Sequence, residues 1–379
     1  MKRAYVSSGL AVLFLTLAAC GDDGGSEGSG GGTPSTTSAT SATTGSGTLD
    51  TSSSAGGASG TGGDTSTSAT GMGGDATGST TGSGGSTPVA DPNVDGPYTS
   101  TIATANVTVA ATGSTFGVKA WIPSAGPDAG PYPLVIVAHG FQLPSTQYEG
   151  YAERLASFGY VAVTAEYPTG FTANHLKNAK DLVGVIDWAS TASQLMGKVD
   201  VQKSITLGHS LGGKASLLAA TLDPRIVASV GLDPVDSAMF CNPTDCPDMS
   251  NLMGSLSIPT LLIGETLDAT AGGFGQACAP AADNYQTFYA NAVSPSFEVT
   301  ALGANHMSFL DDAASCGLPC FACKMATADN ATVNGMARAF ATAFVERHVR
   351  GITGYDAYLT GSEAQARYVT TNLATIQSK

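Results

Sequence analysis

Between residues 201 and 218 the chain passes from a strand-forming run, Val201-Gln202-Lys203-Ser204-Ile205-Thr206-Leu207, through Gly208-His209-Ser210-Leu211-Gly212 and directly into the Ala/Leu-rich Gly213-Lys214-Ala215-Ser216-Leu217-Leu218. No residues are left over for a loop. A strand that becomes a helix within one residue forces that residue, Ser210, into a strained backbone conformation and pushes its side chain clear of the turn. Gly208 and Gly212 omit the side chains that would hold strand and helix apart. The helix aims free N–H groups and its positive dipole end at the same point. The spacing predicts Ser210 as a nucleophile and the Leu211 N–H as a donor to an oxyanion. In a chain rich in Gly and Ser the bare pentapeptide could arise by chance, so the strand before it and the helix after it carry the reading.

The surrounding sequence repeats this alternation. Residues 99–111 alternate apolar and polar as an exposed edge strand does, and residues 117–122 can pair with them antiparallel. Leu134-Val135-Ile136-Val137-Ala138 is a continuous apolar run, expected of a strand buried on both faces, and it ends in His139-Gly140-Phe141-Gln142. Helical patterning follows over 146–158, a strand over 160–165 and a helix over 173–195. Beyond Ser210 come a helix to 222, strands over 226–232 and 260–264, a helix over 282–292, a strand over 296–302 and a final helix over 333–350. Strands alternating with helices predict an α/β fold, a mostly parallel sheet covered on both faces. Function then belongs at the carboxyl ends of the strands, where Ser210, Asp233, Asp268, His306 and the His139-Gly140 turn all fall.

Composition divides the chain. Met1-Lys2-Arg3 and the apolar residues 10–19 read as an export signal, too short to span a bilayer as a helix. Residues 21–92 are nearly all Gly, Ser, Thr and Ala with seven acids and no Lys or Arg. Such a stretch cannot bury enough apolar surface to order itself and reads as a tether, or as an adhesive stalk. Residues 93–379 are then one catalytic domain. The net charge of the whole chain is −14; setting aside the tether acids and the two basic residues of the signal leaves about −9 for the domain. That surface would repel phosphate backbones, which excludes nucleic acid as a partner. Nothing points to a metal or organic cofactor, and a monomer is expected. The stretch between Asp233 and Pro259 is too short for a large lid domain, so the expected pocket is open and suits bulky or polymeric substrates.

Besides Cys20 there are six cysteines, Cys241, Cys246, Cys278, Cys316, Cys320 and Cys323. An even number in an exported chain points to disulfides. Cys241 with Cys246 would close a local loop, and Cys278 with one of the later three would join two segments bearing candidate site residues. A zinc site at Cys316-x3-Cys320-x2-Cys323 is the competing reading, for which no fourth ligand is apparent.

The residues also carry family resemblances. Leu17-Ala18-Ala19-Cys20 resembles the lipobox of bacterial lipoproteins, which implies that Cys20 is acylated and that the mature protein is exported and lipid-anchored to a bacterial membrane; ordinary signal cleavage is the alternative. The nucleophile turn and the architecture resemble the α/β-hydrolase fold. Gly208-His209-Ser210-Leu211-Gly212-Gly213-Lys214, Gly231-Leu232-Asp233-Pro234-Val235-Asp236, Cys278-Ala279-Pro280 and His306-Met307-Ser308-Phe309-Leu310-Asp311-Asp312 resemble chlorophyllases and their bacterial relatives. Residues 135–167 and 258–268 are similar to bacterial cutinases and polyester hydrolases. These resemblances imply a serine hydrolase that cleaves carboxylic esters through an acyl-enzyme.

Chain order in that fold puts the base last, and among the five histidines only His306 directly follows the last strand of the expected sheet, His348 lying in the final helix. The acid has two candidates. Asp233 sits where chlorophyllases place theirs, and the local match is longer there; Asp268 sits at the cutinase position, which chlorophyllases generally leave without an aspartate. Whichever is unused would serve as a loop hydrogen-bonder or helix cap. Resemblance to cutinases makes the Phe141 N–H the second oxyanion donor and its ring a substrate contact, and Gln142 and Trp188 are expected on the substrate wall. Two other functions remain open from sequence: an amidase or peptidase on the same fold, and a non-catalytic surface-binding protein.

Overall fold

The protein is described by a computed structural model covering residues 89–379, apart from 171, 238–240, 273–274, 318–319 and 321. The expectations for the export signal, for Cys20 and for the tether ahead of residue 89 lie outside the described residues. The described residues include the end of the expected tether: Asp91 pairs with Arg367 at 3.0 Å, and the Pro92 carbonyl accepts from Arg154 at 2.6 Å.

Strand β3 (Tyr132–Ala138) shows how the sheet is built. Leu134, Ile136 and Ala138 enter the core on one face, and Val135 and Val137 enter the core on the other, all of them solvent-free. Each such side chain contributes about 1.5–3 kcal/mol when fully buried, which explains the lack of polar alternation in the run. Around it lie β1 (Thr99–Val109), β2 (Ser114–Ala125), β4 (Val161–Ala165), β5 (Val199–His209), β6 (Ile226–Leu232), β7 (Thr260–Glu265), β8 (Ser296–Ala301) and β9 (Ala374–Ser378). The nine strands form one sheet in the order β1-β2-β4-β3-β5-β6-β7-β8-β9. Strands β3 to β8 run parallel, while β1, β2 and β9 make the antiparallel pairings at the two edges.

Helices α1 (Glu149–Ser157) and α6 (Asn330–His348) pack on the Val135 face, and α2 (His175–Thr191), α3 (Leu211–Leu222), α4 (Met249–Leu252) and α5 (Tyr285–Asn291) on the other. This is the α/β-hydrolase fold, with no separate lid domain evident among the described residues. The long helix α6 starts earlier than its apolar pattern predicts because Asp329 caps it, accepting from the Thr332 N–H at 2.9 Å. It is also not the last element, contrary to expectation. The chain continues into β9, whose edge position leaves only Ala374 buried and so gives little apolar signal.

Candidate active site

Ser210 stands between β5 and α3 at φ 56° and ψ −121°, a left-handed conformation that L-residues rarely adopt. The glycines on either side permit it. A Cβ at Gly208 would fall on the Gly212 carbonyl, and one at Gly212 would lie 2.5 Å from the carbonyl oxygens of Ala138 and His139. The Ser210 hydroxyl, half-buried, donates to His306 Nε2 at 2.8 Å. His306 Nδ1–H donates in turn to Asp233 Oδ2 at 2.5 Å. Asp233 has no exposed surface, and its backbone is itself left-handed, at φ 41°.

The second candidate acid is also at the site but does not touch the ring. Asp268 is solvent-free and accepts the backbone N–H of His306 on Oδ2 at 2.8 Å and that of Lys324 on Oδ1 at 2.8 Å. Glu265, at the end of β7, accepts the N–H groups of Leu267 and Asp268. Burial disfavours a charge on the His306 ring, but the hydrogen bond and charge of Asp233, with the charges of Glu265 and Asp268, outweigh it and raise its pKa above the ordinary imidazole value. Burial first, and then the charge of Asp233, push Glu265 up to about 8.

The two expected backbone donors are both left without a backbone partner among the described residues. Leu211 opens α3, so its N–H has no intrahelical acceptor; the Phe141 N–H has no acceptor among the described residues. The Phe141 ring is 41% exposed, which rules it out as a core aromatic. Its turn is held from both sides. The Gln142 N–H donates to Thr169 Oγ1 at 3.1 Å and its side-chain amide to the Thr169 carbonyl at 3.2 Å. The Tyr167 hydroxyl donates to the His139 carbonyl at 2.6 Å, and the two rings stack at 4.3 Å. A cavity of about 200 Å³ lies beside Leu211, lined by Thr169, Gly170, Asn174 and Asn178.

Trp188 is not part of this arrangement. It lies toward the far end of α2, some 20 Å along the helix from the end nearest the site, where it lines a cavity with Val107 and Val109 of β1. α2 runs back from the carboxyl ends of the strands to their amino ends, so a residue in its last turns cannot reach the substrate.

The cysteines form three bridges, Cys241–Cys246, Cys278–Cys323 and Cys316–Cys320, which leaves no free thiolates for the zinc reading. The second bridge joins the segment after Asp268 to the loop after His306.

Residues that sequence reasoning missed support the site from behind. His209 is buried, donates Nε2–H to the His306 carbonyl at 2.8 Å and accepts from the Tyr148 hydroxyl on Nδ1 at 2.7 Å. Lys214, on α3, is solvent-free and lies 2.7 Å from Asp236 Oδ1. A lysine inside an Ala/Leu helix was the available signal, since it demands a buried partner.

A model of the chlorophyllase family matches residues 95–367. The chain belongs to the chlorophyllase family. Chlorophyllase-1 of Arabidopsis thaliana is 32% identical over an alignment covering 48% of this chain and 61% of the relative. The bis(hydroxyethyl) terephthalate hydrolase of Streptomyces coelicolor is 26% identical over 52% of this chain and 56% of its own length. Cutinase est1 of Thermobifida alba is 23% identical over 46% and 52%. In each case the chain spans less than two thirds of the relative. The family model covers the strands and helices from β1 to α6 and all the residues gathered around Ser210.

Proposed function

We propose that this chlorophyllase-family chain is a carboxylic ester hydrolase that works through an acyl-enzyme, and that it is exported and lipid-anchored through Cys20. The observation that carries the catalytic reading is the continuous line from Ser210 Oγ to His306 Nε2 at 2.8 Å and from His306 Nδ1 to the buried Asp233 at 2.5 Å. A serine hydroxyl attacks a carbonyl only if a base takes its proton, and here the base is already in contact. As Ser210 Oγ bonds to the ester carbon, its proton passes to His306. Asp233 stabilises the imidazolium that forms, and the Phe141 and Leu211 N–H groups receive the oxyanion. His306 then gives the proton to the leaving alcohol. Water enters, loses a proton to the same ring and bonds to the acyl carbon; the bond to Ser210 Oγ breaks, His306 returns the proton to Oγ, and the acid is released.

The relatives support a substrate class. Their names refer to chlorophyll, bis(hydroxyethyl) terephthalate and cutin, each an ester with a large apolar part. The exposed Phe141 ring and the absence of a separate lid domain among the described residues suit such esters better than small enclosed ones. Labelling with a fluorophosphonate probe tests the reading: wild-type protein is labelled and Ser210→Ala is not. Faster hydrolysis of an aryl ester than of its matched anilide is expected. An unlabelled wild type would leave a binding protein, and a faster anilide would leave an amidase.

A further inference from the structure

Of the two aspartates that sequence offers as the acid, Asp233 meets the ring and Asp268 meets the backbone behind it. Asp268 is not a local cap. Its two carboxyl oxygens hold N–H groups 38 and 56 residues away, on His306 and Lys324. Its own N–H is held by the Glu265 carboxyl at 3.0 Å, and its carbonyl accepts from Ala279 at 3.1 Å. Ala279 and Lys324 are each one residue from a member of the Cys278–Cys323 bridge. The segments holding Ala279, His306 and Lys324 therefore meet on one solvent-free residue, two of them on its carboxyl, and one of those two starts at the base.

We propose that Asp268 is a positioning residue for His306, fixing the imidazole between Ser210 and Asp233 through the His306 backbone N–H and supplying a second carboxyl to its surroundings. This inference rests on the reading of Ser210, His306 and Asp233 as the reacting set. The backbone N–H of His306 begins a short turn, His306–Phe309, so the carboxyl that holds it fixes the origin of the side chain. A shift of about 1 Å in a reacting group costs roughly 100-fold in rate, and the carbonyl at the other side of the residue is held independently by His209. The titratable groups around the ring are Asp233, Glu265, Asp268 and His209, with Ser210 in contact with it. Lys324, the other residue on Asp268, turns its ammonium to the Leu267 carbonyl at 2.8 Å.

The experiment compares Asp268→Asn with Asp233→Asn in the full chain, reading steady-state hydrolysis of p-nitrophenyl butyrate and, by NMR, the titration of the His306 ring. For Asp268→Asn, kcat falls about 10- to 100-fold with KM nearly unchanged, and the His306 pKa moves down. For Asp233→Asn the fall is about 10⁴-fold. A folded Asp268→Asn with wild-type kcat and ring titration overturns the proposal, as does an Asp268→Asn that loses about 10⁴-fold while Asp233→Asn retains most activity. If neither Asp268→Asn nor Asp268→Ser folds, hydrogen exchange of the wild-type His306 amide decides. Slow exchange is expected for an N–H given to a buried carboxyl, and fast exchange overturns the proposal. A wild type that hydrolyses no ester sinks the hydrolase reading instead, and the ring titration and amide exchange still measure the coupling.

Discussion

His209 gives its Nε2–H to the backbone carbonyl of His306 across 2.8 Å, joining the strand that ends at Ser210 to the loop that supplies the base. Burial holds the His209 ring far below the ordinary imidazole range, and the neighbouring His306 adds to this. The ring is therefore neutral, and its other nitrogen must accept. It accepts from the Tyr148 hydroxyl at 2.7 Å, whose oxygen in turn accepts from the Gly140 N–H at 3.2 Å. One directed chain thus links the turn bearing Phe141, the nucleophile strand and the base loop.

Tyr148→Phe breaks this chain and leaves two buried groups, Gly140 N–H and His209 Nδ1, without partners. Each such group costs roughly 1–3 kcal/mol, so a stability loss of about 2–4 kcal/mol is expected in urea unfolding. Because the oxyanion turn loses an anchor, kcat should fall about 10-fold with KM little changed. Loss of stability without loss of kcat would confine Tyr148 to folding.

Ser210 holds a conformation that suits glycine better than any L-residue. Ser210→Gly and Ser210→Ala should both abolish hydrolysis. Ser210→Gly should nevertheless unfold at a higher denaturant concentration than Ser210→Ala, the difference corresponding to about 1–2 kcal/mol of relieved strain. Normally glycine is the less stable of the pair, through its larger unfolded-state entropy. If Ala proves the more stable here, the nucleophile turn stores no strain.

Much of this was legible in the sequence for physical reasons. The apolar run at 134–138 can only be a strand covered on both faces, and the strand–Ser210–helix junction leaves the chain little choice of geometry. Only the longer local match favours Asp233 over Asp268 in sequence, because both follow central strands and both end up buried beside His306. Which one meets the ring depends on the path of loops that sequence does not specify. Trp188, expected on the substrate wall, is carried to the other end of the sheet by the direction of α2. Strand alternation turns His209 away from Ser210, and the carbonyl it meets belongs to a residue 97 positions later. No short-range pattern encodes that pairing.

The acidic cluster makes stability and activity respond oppositely to pH. Activity requires a neutral His306, so kcat/KM should rise with pH along a limb centred above about 6.5, the ordinary imidazole value, given the upward shift. Glu265 acts on stability. Its folded pKa of about 8 lies above its ordinary 4.5, so between these values the folded chain holds a proton that the unfolded chain releases. Its stabilising contribution is full below about 4.5 and is lost as pH rises toward 8. Glu265→Gln removes that dependence. The melting temperature of the variant, relative to wild type, should therefore improve from pH 5 to about pH 8 and level off above it. A difference that is flat or falls with pH would mean that Glu265 ionises normally inside the fold.

The last prediction concerns the ion pair under the nucleophile helix. Lys214 donates to both the carboxyl and the carbonyl of Asp236, at 2.7 and 2.6 Å. Asp236 also accepts the Met249 and Ser250 N–H groups at 3.0 and 2.7 Å. The segment from Asp233 to Asp236 is thereby fixed to α3, and Val235 N–H reaches the Ser210 carbonyl at 3.4 Å. Lys214→Met removes the ammonium and strands a buried carboxylate, which should cost about 3–5 kcal/mol. Lys214→Met combined with Asp236→Asn removes the stranded charge as well, and should be less destabilised than the sum of the single variants. His175 provides an independent check. Burial and, secondarily, the Lys214 charge hold its pKa at about 3, so in a folded Lys214→Met protein the His175 titration should move upward. Additive stability changes with an unmoved His175 would mean that the pair is not coupled through the site. A coupled result would make Lys214 the residue that ties the acid's loop to the serine's helix.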